Sequence, residues 1–223
     1  MDYDSLLELV KKRRSIRRYK PDLIPDDYPE KIIEVAQWAP SGFNCQPWEF
    51  VVVKDQEIKD KIVQLLSKEG GLPREKNDYG DAPVFIILFG DPRTKAGLPD
   101  RLASNDKMNQ PVFNAGLASA FLYMHMAATA LGLSSQWMSR VGFPTIAPKL
   151  KKLLGVPEGF QVFEMMVVGY PAIESRPKLL REDDKMIHYD VSKEEDFRTD
   201  EEVADFAKRT KGWMMGTIKR DPE

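Results

Sequence analysis

The sequence contains very little cysteine and histidine. Its 223 residues include one cysteine, Cys45, and two histidines, His125 and His188. A single cysteine cannot form an intrachain disulfide, so we expect a reducing compartment and a cytoplasmic protein. Zinc sites built from clusters of cysteine and histidine are nearly excluded by the same composition, and we predict no metal site.

The sequence also lacks an excess of positive charge. Lys and Arg number 33 against 35 Asp and Glu, which gives a formal net charge of −2. Proteins that bind nucleic acid through its phosphates are usually basic, so we expect no nucleic-acid partner. The first residues, MDYDSLLELV, do not have the pattern of a signal peptide.

Residues 111–133 form the one apolar stretch long enough to suggest a membrane span. Four polar residues interrupt it, namely Asn114, Ser119, His125 and Thr129. These side chains would be costly in lipid. We therefore predict the buried central helix of a globular domain and no membrane partner.

Strand and helix patterns alternate along the first 170 residues. Apolar runs predict strands at 50–53, 84–89, 135–139 and 162–168. The run at 84–89 is uniformly apolar, which is typical of a strand covered on both faces. Helical spacing predicts helices at 3–12, 27–39, 56–68, 111–132 and 147–154. This pattern favours a sheet sandwiched between helices.

The last part of the chain has a different composition. It has little continuous apolar sequence, although residues 201–211 can form an amphipathic helix through Val203, Phe206 and Ala207. We divide the chain into a domain at 1–190 and a C-terminal arm at 191–223. Because Phe197, Phe206 and Trp213 are too apolar for a free tail, we expect the arm to dock on its own core or on a partner subunit.

A basic cluster follows the first helix, in the segment KKRRSIRR at 11–18. It has three interpretations: a solvated helix end that suits the helix dipole, a nucleic-acid or targeting patch, and a phosphate site. The third is chemically plausible because guanidinium groups bind phosphate oxygens in pairs and a serine hydroxyl adds a donor.

A second group of polar residues lies between a helix and a strand, at 39–50. Ser41, Asn44 and Gln46 offer donors and acceptors at the edge of the predicted sheet, where a planar ligand with polar edges could bind. The alternative is a turn whose side chains satisfy their own backbone.

These motifs, in order, resemble the FMN-dependent nitroreductase family, which includes flavin reductases and iodotyrosine deiodinase. The resemblance covers residues 6–189 and is carried by RRSIRRY, APSGFNCQPWEFVVV, LGLSSQW, KKLLGVPEGF, MMVVGYP and RPKLLREDD. It implies an α+β fold, a three-layer α/β/α sandwich with a central mixed, mainly antiparallel sheet and an extended C-terminal arm. It also implies a homodimer with FMN at the subunit interface.

The resemblance implies roles for residues at matching positions. The FMN phosphate and ribityl chain would be held by Arg13, Arg14, Ser15 and Arg17, with Arg181 and Lys178 from later in the chain. The flavin ring would be approached from the other subunit by Pro40, Ser41, Gly42, Asn44 and Gln46. The backbone N–H groups of Val141 and Gly142 would face the flavin, although segment 136–143 is longer than the family's usual version with paired glycines.

The resemblance further implies a ping-pong reaction that needs no protein nucleophile. NADH or NADPH would reduce the flavin, which would then reduce a small electron-poor acceptor such as a quinone or a nitroaromatic compound. Two alternatives remain. One is a specialised flavin enzyme of the same fold, for reductive dehalogenation, flavin fragmentation or metabolite dehydrogenation. The other is a flavin-binding protein without turnover.

Overall fold

A computed structural model describes residues 2–70, 78–175, 178–181 and 185–215 of the chain. The chain forms two compact units, Met1–Ser175 and Arg176–Glu223. The first contains the sheet and six of the helices described below. The second contains the helix α7 and the segment that precedes it.

The elements of the first unit follow the alternation predicted from the sequence. Its helices are α1 (Tyr3–Lys12), α2 (Tyr28–Gln37), α3 (Gln56–Gly70), α4 (Asp100–Ala103), α5 (Asp106–Ala130) and α6 (Ala147–Leu154). Its strands are β1 (Trp48–Val53), β2 (Val84–Gly90), β3 (Ser134–Met138) and β4 (Gln161–Gly169). Helix α7 (Asp200–Met215) belongs to the second unit and overlaps the helix predicted at 201–211.

The four strands form one sheet in the order β1-β2-β4-β3. The three pairings are antiparallel, and their registers include Phe50 opposite Leu88 and Gln136 opposite Val167. The parallel component is an isolated bridge between Ser15 and Ser135. The N-terminal segment thus lies beside β3, which places the basic cluster next to this edge strand of the sheet.

Strand β2 separates two apolar cores, because alternate side chains of a strand point to opposite faces. Phe85, Ile87 and Phe89 pack with residues of α3 and α6 such as Leu66 and Leu150. The other residues of β2, Val84, Ile86 and Leu88, pack with residues of α2 and α5. Every residue of β2 is buried, which confirms the prediction of a strand covered on both faces and gives three layers.

Helix α5 is the predicted central helix and spans 25 residues. It starts at Asp106, earlier than predicted, and the chain then turns at Gly132, whose φ of +75° suits glycine. Among the described residues, none of the helices combines the length and the apolar character needed to cross a membrane.

Candidate functional site

The basic segment is held in an extended conformation between α1 and the sheet. Arg13 ends α1 with extended backbone angles, and Ile16 N donates a hydrogen bond of 3.1 Å to Ser135 O. Ile16 is buried, and its carbonyl accepts a hydrogen bond of 2.8 Å from the buried Tyr19 hydroxyl. Because residues alternate in an extended segment, anchoring Ile16 inward leaves Ser15 and Arg17 exposed.

Arg13 and Arg14 are half-buried cations next to each other. One nitrogen of Arg14, Nη1, donates to Arg13 O at 2.9 Å and also to Lys11 O. Burial, followed by the charge of Arg14, lowers the pKa of Arg13. Within the part of the chain that the structure describes, neither arginine has an acidic partner. A half-buried positive charge without a counter-charge favours an anion at this position.

His125 of α5 lies beside this segment and is 1% exposed. Its Nδ1 is 2.7 Å from Ser135 Oγ, and its ring stacks on Trp137 with centroids 5.4 Å apart. Burial, and then the charge of Arg13, lowers the pKa of His125 to about 3. The imidazole is therefore neutral near pH 7, and its buried Nε2 has no hydrogen-bond partner among the described residues.

The turn Ser139–Gly142 follows the opposite end of β3. The Val141 side chain is fully buried in the core on the α3 and α6 side, whereas Gly142 is exposed. A Cβ at Gly142 would lie 3.4 Å from Phe163 O, so the turn packs closely on β4. Ser135 and Met138 are about 10 Å apart, at roughly 3.3 Å per residue. Strand β3 could therefore lie under an elongated ligand whose anionic end is beside Arg13.

The loop at 40–46 is built differently. Ser41 Oγ accepts a hydrogen bond of 3.0 Å from Gln46 N, and Ser41 O accepts one of 3.0 Å from Asn44 N. Phe43, Asn44 and Gln46 have φ values of +54°, +53° and +45°. The interpretation of this loop as a self-satisfied turn is therefore confirmed for its backbone, while Pro40 and the side chains of Asn44 and Gln46 are exposed.

Close packing fixes this loop against the first half of α5. A Cβ at Gly42 would lie 2.1 Å from Val112 Cγ1, and one at Gly116 would lie 3.1 Å from Ser41 Cβ. His125 is nine residues beyond Gly116 and thirteen beyond Val112 on α5. At 1.5 Å per residue this separation is about 14–20 Å. Within one chain, the loop and the Arg13 segment therefore lie at different places along the same helix.

The remaining predicted site residues, Lys178 and Arg181, belong to the second unit. Lys178 is exposed, and Arg181 Nη2 donates to Lys185 O at 3.2 Å.

The sequence analysis placed His125 in the buried central helix and gave Glu164 no role. The packing of His125 is confirmed, but its unpartnered Nε2 beside Arg13 was not foreseen. Glu164 could have been noticed from the sequence, because it is the one charged residue in the otherwise apolar run at 162–168. A lone charge in a buried strand requires an explanation.

Comparison with known proteins gives a consistent result. A model of the nitroreductase family matches residues 10–170. A protein of Archaeoglobus fulgidus, whose name includes NADH dehydrogenase/NAD(P)H nitroreductase, is 30% identical over 171 residues, covering 77% of this chain and 88% of that protein. Iodotyrosine deiodinase 1 of Mus musculus is 29% identical over 191 residues, and the match covers 74% of this chain and 61% of the deiodinase.

The solved structures agree with the family match. The solved structure of an FMN-dependent nitroreductase from Clostridium difficile R20291 superposes with a TM-score of 0.64 at 28% identity, covering 83% of this chain and 99% of that one. The family match covers most of the first unit, including the basic segment, the loop at 40–46 and the turn after β3. The chain therefore belongs to the nitroreductase family of oxidoreductases.

Proposed function

We propose that the chain is an FMN-dependent enzyme that uses NADH or NADPH to reduce small electron-poor acceptors, such as quinones or nitroaromatic compounds, by two electrons. The observation that carries this proposal is the polar end of β3. There the half-buried Arg13 has no acidic partner among the described residues, and the buried Nε2 of the neutral His125 has no hydrogen-bond partner. The names of the Archaeoglobus and Clostridium proteins support the reductant and the cofactor.

The residues at this end of β3 fit the phosphate of FMN. A phosphate monoester carries close to two negative charges near pH 7 and has three strong acceptor oxygens. Arg13, Arg14 and the Ser15 hydroxyl would supply charge-assisted hydrogen bonds to it, and Arg17 would add a further positive charge. Arg181 and Lys178 are assigned to the same phosphate only by resemblance to the family.

The other end of β3 suits the flavin ring. Bound FMN supplies the hydride chemistry, while the protein supplies orientation and an electrostatic field. Backbone N–H groups of Val141 and Gly142 would stabilise negative charge on the ring, as the donors of an oxyanion hole do for their anion.

We further propose that the protein is a homodimer that pairs through α5. Residues 108–139 contain no Asp, Glu, Lys or Arg, and α5 nevertheless exposes Leu122 and Tyr123 by 47% and 36%. A long uncharged stretch of helix with exposed large apolar side chains is normally covered by another surface. The dimer interface would also cover two other exposed aromatic residues, Trp38 just before the loop at 40–46 and Phe43 within it.

A dimer would bring together the two predicted parts of the site, the Arg13 segment of one copy and the loop at 40–46 of the other. In one chain the loop at 40–46 lies about 14–20 Å along α5 from His125, at 1.5 Å per residue. The loop of a second copy could approach the ring end from across the interface, bringing Pro40, Ser41, Gly42, Asn44 and Gln46. From the single cysteine we also propose a cytoplasmic location.

A second candidate function is reductive dehalogenation of an aromatic substrate. It is favoured by the relation to iodotyrosine deiodinase, although this chain spans only 61% of the mouse enzyme. The two candidates share the Arg13 segment and the loop at 40–46, so these residues do not distinguish them. Product analysis with a halogenated phenol and a quinone does distinguish them.

The deciding experiment is an anaerobic visible spectrum of the purified protein, recorded before and after addition of NADH or NADPH. We expect flavin bands that bleach with one or both nucleotides and return when a quinone is added. Flavin bands that persist with both nucleotides would contradict NAD(P)H-driven turnover. A colourless protein that also fails to bind added FMN would overturn the cofactor assignment.

A further inference from the structure

A bulge in β4 lies directly before Glu164. Leu88 pairs with Glu164 and the next residue, Phe89, pairs with Val162, so Phe163 is an extra residue on β4. Leu88 and Phe163 pack in the core on the α5 side. Bulges of this kind redirect side chains and are frequent next to active sites. Glu164 follows the regular alternation of Met166 and Val168, so the only charged residue of β4 lies on the same sheet face as Trp137 and α5.

Glu164 is also next to the turn that follows β3. Met138 pairs with Met165 at the end of β3, so the next pair along the two strands is Ser139 and Glu164. The polar side chains of Ser139 and Trp137 favour the ionised carboxylate of Glu164 and so act to lower its pKa. Ser139 is exposed and Glu164 is half-buried.

The carboxyl group of Glu164 is only partly satisfied. Its Oε2 is buried and has no hydrogen-bond partner among the described residues. Burial raises the pKa of Glu164, and the hydrogen bonds from Ser139 and Trp137 offset part of that rise. A buried carboxyl group with a raised pKa is a common arrangement for groups that exchange protons during catalysis.

None of the described residues on the neighbouring elements contributes a charge to the shift in the pKa of Glu164. Strand β2 contributes the apolar Leu88 at this position, and β3 contributes Trp137. Helix α5 contributes Phe121 and His125, which both contact the Trp137 ring. His125 is neutral near pH 7, because its pKa is lowered to about 3. No charge on another described residue is among the causes of the shift at Glu164.

We propose that Glu164 holds the proton that joins the hydride in the two-electron reduction of the acceptor, and that it delivers this proton through the Ser139 hydroxyl. This inference rests on the proposed function. A quinone gains one hydride, which originates from the nicotinamide, and one proton, and becomes a hydroquinone. Ser139 Oγ gives its proton to the quinone oxygen as it receives one from the Glu164 carboxyl. Glu164 is left as a carboxylate that accepts hydrogen bonds from Ser139 and Trp137, until water returns the proton.

The test uses Glu164→Gln, which keeps the size of the side chain but cannot release a proton, with Glu158→Gln as the control. Glu158 is exposed in the loop before β4 and is not among the predicted site residues. The two half-reactions of the flavin-loaded enzymes are followed separately by stopped-flow absorbance. We expect bleaching by NAD(P)H to be similar in all three proteins. Quinone reduction should slow by about a hundredfold in Glu164→Gln alone, the low end for loss of a general acid.

The pH profile gives a second criterion. In the wild type, the rate of quinone reduction should fall as the pH rises through the pKa of Glu164, because only the protonated form gives a proton. Glu164→Gln should lose this dependence, whereas Glu158→Gln should keep it. If Glu164→Gln keeps the wild-type rate of quinone reduction and the wild-type pH profile, the proposal is overturned.

A measurement on the flavin-free protein separates titration from turnover. The infrared difference spectrum of wild type minus Glu164→Gln should show a carboxylic acid band. As the pH is raised, this band should disappear at a pH above the usual pKa of glutamate, which is about 4.3. A band that disappears at the usual pKa of glutamate would contradict the proposal.

If Glu164→Gln does not retain FMN, Ser139→Ala at its exposed position tests the same route. A slower quinone step in Ser139→Ala supports the proposal, and an unchanged step overturns it.

Failure of the underlying function would be seen in the wild type. A wild-type protein that binds no FMN, or whose flavin is not bleached by either nucleotide, overturns both proposals together. A wild type that bleaches and is reoxidised by quinone, with no change in Glu164→Gln, overturns only the role of Glu164.

Discussion

The Arg13 segment and the loop at 40–46 are both predicted to approach the same ligand, but they are built in opposite ways. The Arg13 segment has a half-buried cation without an acidic partner among the described residues, next to a histidine nitrogen without a hydrogen-bond partner. The loop satisfies its own backbone and is held by a close approach of Gly42 to α5. We infer that the first region binds by charge and the second by shape, and mutations should affect them differently.

The largest expected effect is acid destabilisation through His125. Its pKa is lowered from 6.5 to about 3 in the folded state, so between these values the unfolded chain binds one more proton than the folded chain. The contribution of His125 to the free energy of unfolding is therefore fully present above pH 6.5. It is lost as the pH falls towards 3, by up to about 1.4 kcal/mol per pH unit. Thermal unfolding of the flavin-free protein between pH 7 and pH 4 measures this loss.

The matched variants for this prediction are His125→Gln and His188→Gln. Glutamine does not titrate and retains a side chain that can hydrogen-bond Ser135, so His125→Gln should show a shallower dependence of Tm on pH. His188→Gln should keep the wild-type slope. Equal slopes in the wild type and His125→Gln would show that His125 is not held neutral by its environment.

The second prediction concerns charge at the same end of β3. Arg13→Ala should raise the Kd for FMN by about 10–100-fold, because a hydrogen bond to a charged group contributes about 1.5–3 kcal/mol. Fluorescence titration of the flavin-free protein gives the Kd. Arg101→Ala, at an exposed position on α4, is the control and should bind FMN as the wild type does. Full flavin content in purified Arg13→Ala would show that the phosphate binds elsewhere.

The third prediction tests whether the loop depends on shape. Gly42→Ala would place a Cβ 2.1 Å from Val112 Cγ1, and the β-branched Val112 has few rotamers with which to move away. We expect a loss of about 1–3 kcal/mol in the free energy of unfolding, as is usual for overpacking. Denaturant unfolding measures it.

Two controls accompany Gly42→Ala. Gly159→Ala should be nearly neutral, because a Cβ at Gly159 would meet nothing within 4 Å. The double variant Gly42→Ala/Val112→Ala should recover part of the lost stability, because it removes the atom that Gly42→Ala would meet. A Gly42→Ala protein as stable as Gly159→Ala would contradict the close packing of this loop on α5.

The fold was largely predictable because its signals are local. The uniformly apolar run at 84–89 predicts a strand buried on both faces, and all of β2 is buried. The predicted end of α6 at Leu154 is confirmed, and Gly155 follows it with a left-handed φ of +68°. The start of α5 was missed by five residues. Its first turn is capped by the Asn105 side chain, a signal that the apolar pattern does not include.

The candidate site was less predictable because it depends on contacts between distant residues. The sequence points to Arg13 and Ser15, but it does not show that His125 and Ser135 lie beside them. The position of Glu164 opposite Ser139 arises from the pairing of β3 with β4, which the sequence of neither strand specifies alone. The distance of the loop at 40–46 from the Arg13 segment also follows only from where each packs on α5.

The smallest expected effect concerns Arg181 in the second unit. If this arginine reaches the phosphate as the family resemblance implies, Arg181→Ala should raise the Kd for FMN by about twofold to fivefold, because Arg181 is only partly buried and an ion pair that stays in contact with solvent contributes little. Because exposed charges are screened by salt, the difference from the wild type should shrink at 1 M salt, where the Debye length is about 3 Å. The control is Lys208→Ala on the exposed surface of α7. Equal Kd values for Arg181→Ala and Lys208→Ala at low salt would show that the phosphate is bound by Arg13 and its neighbours, which all belong to the first unit.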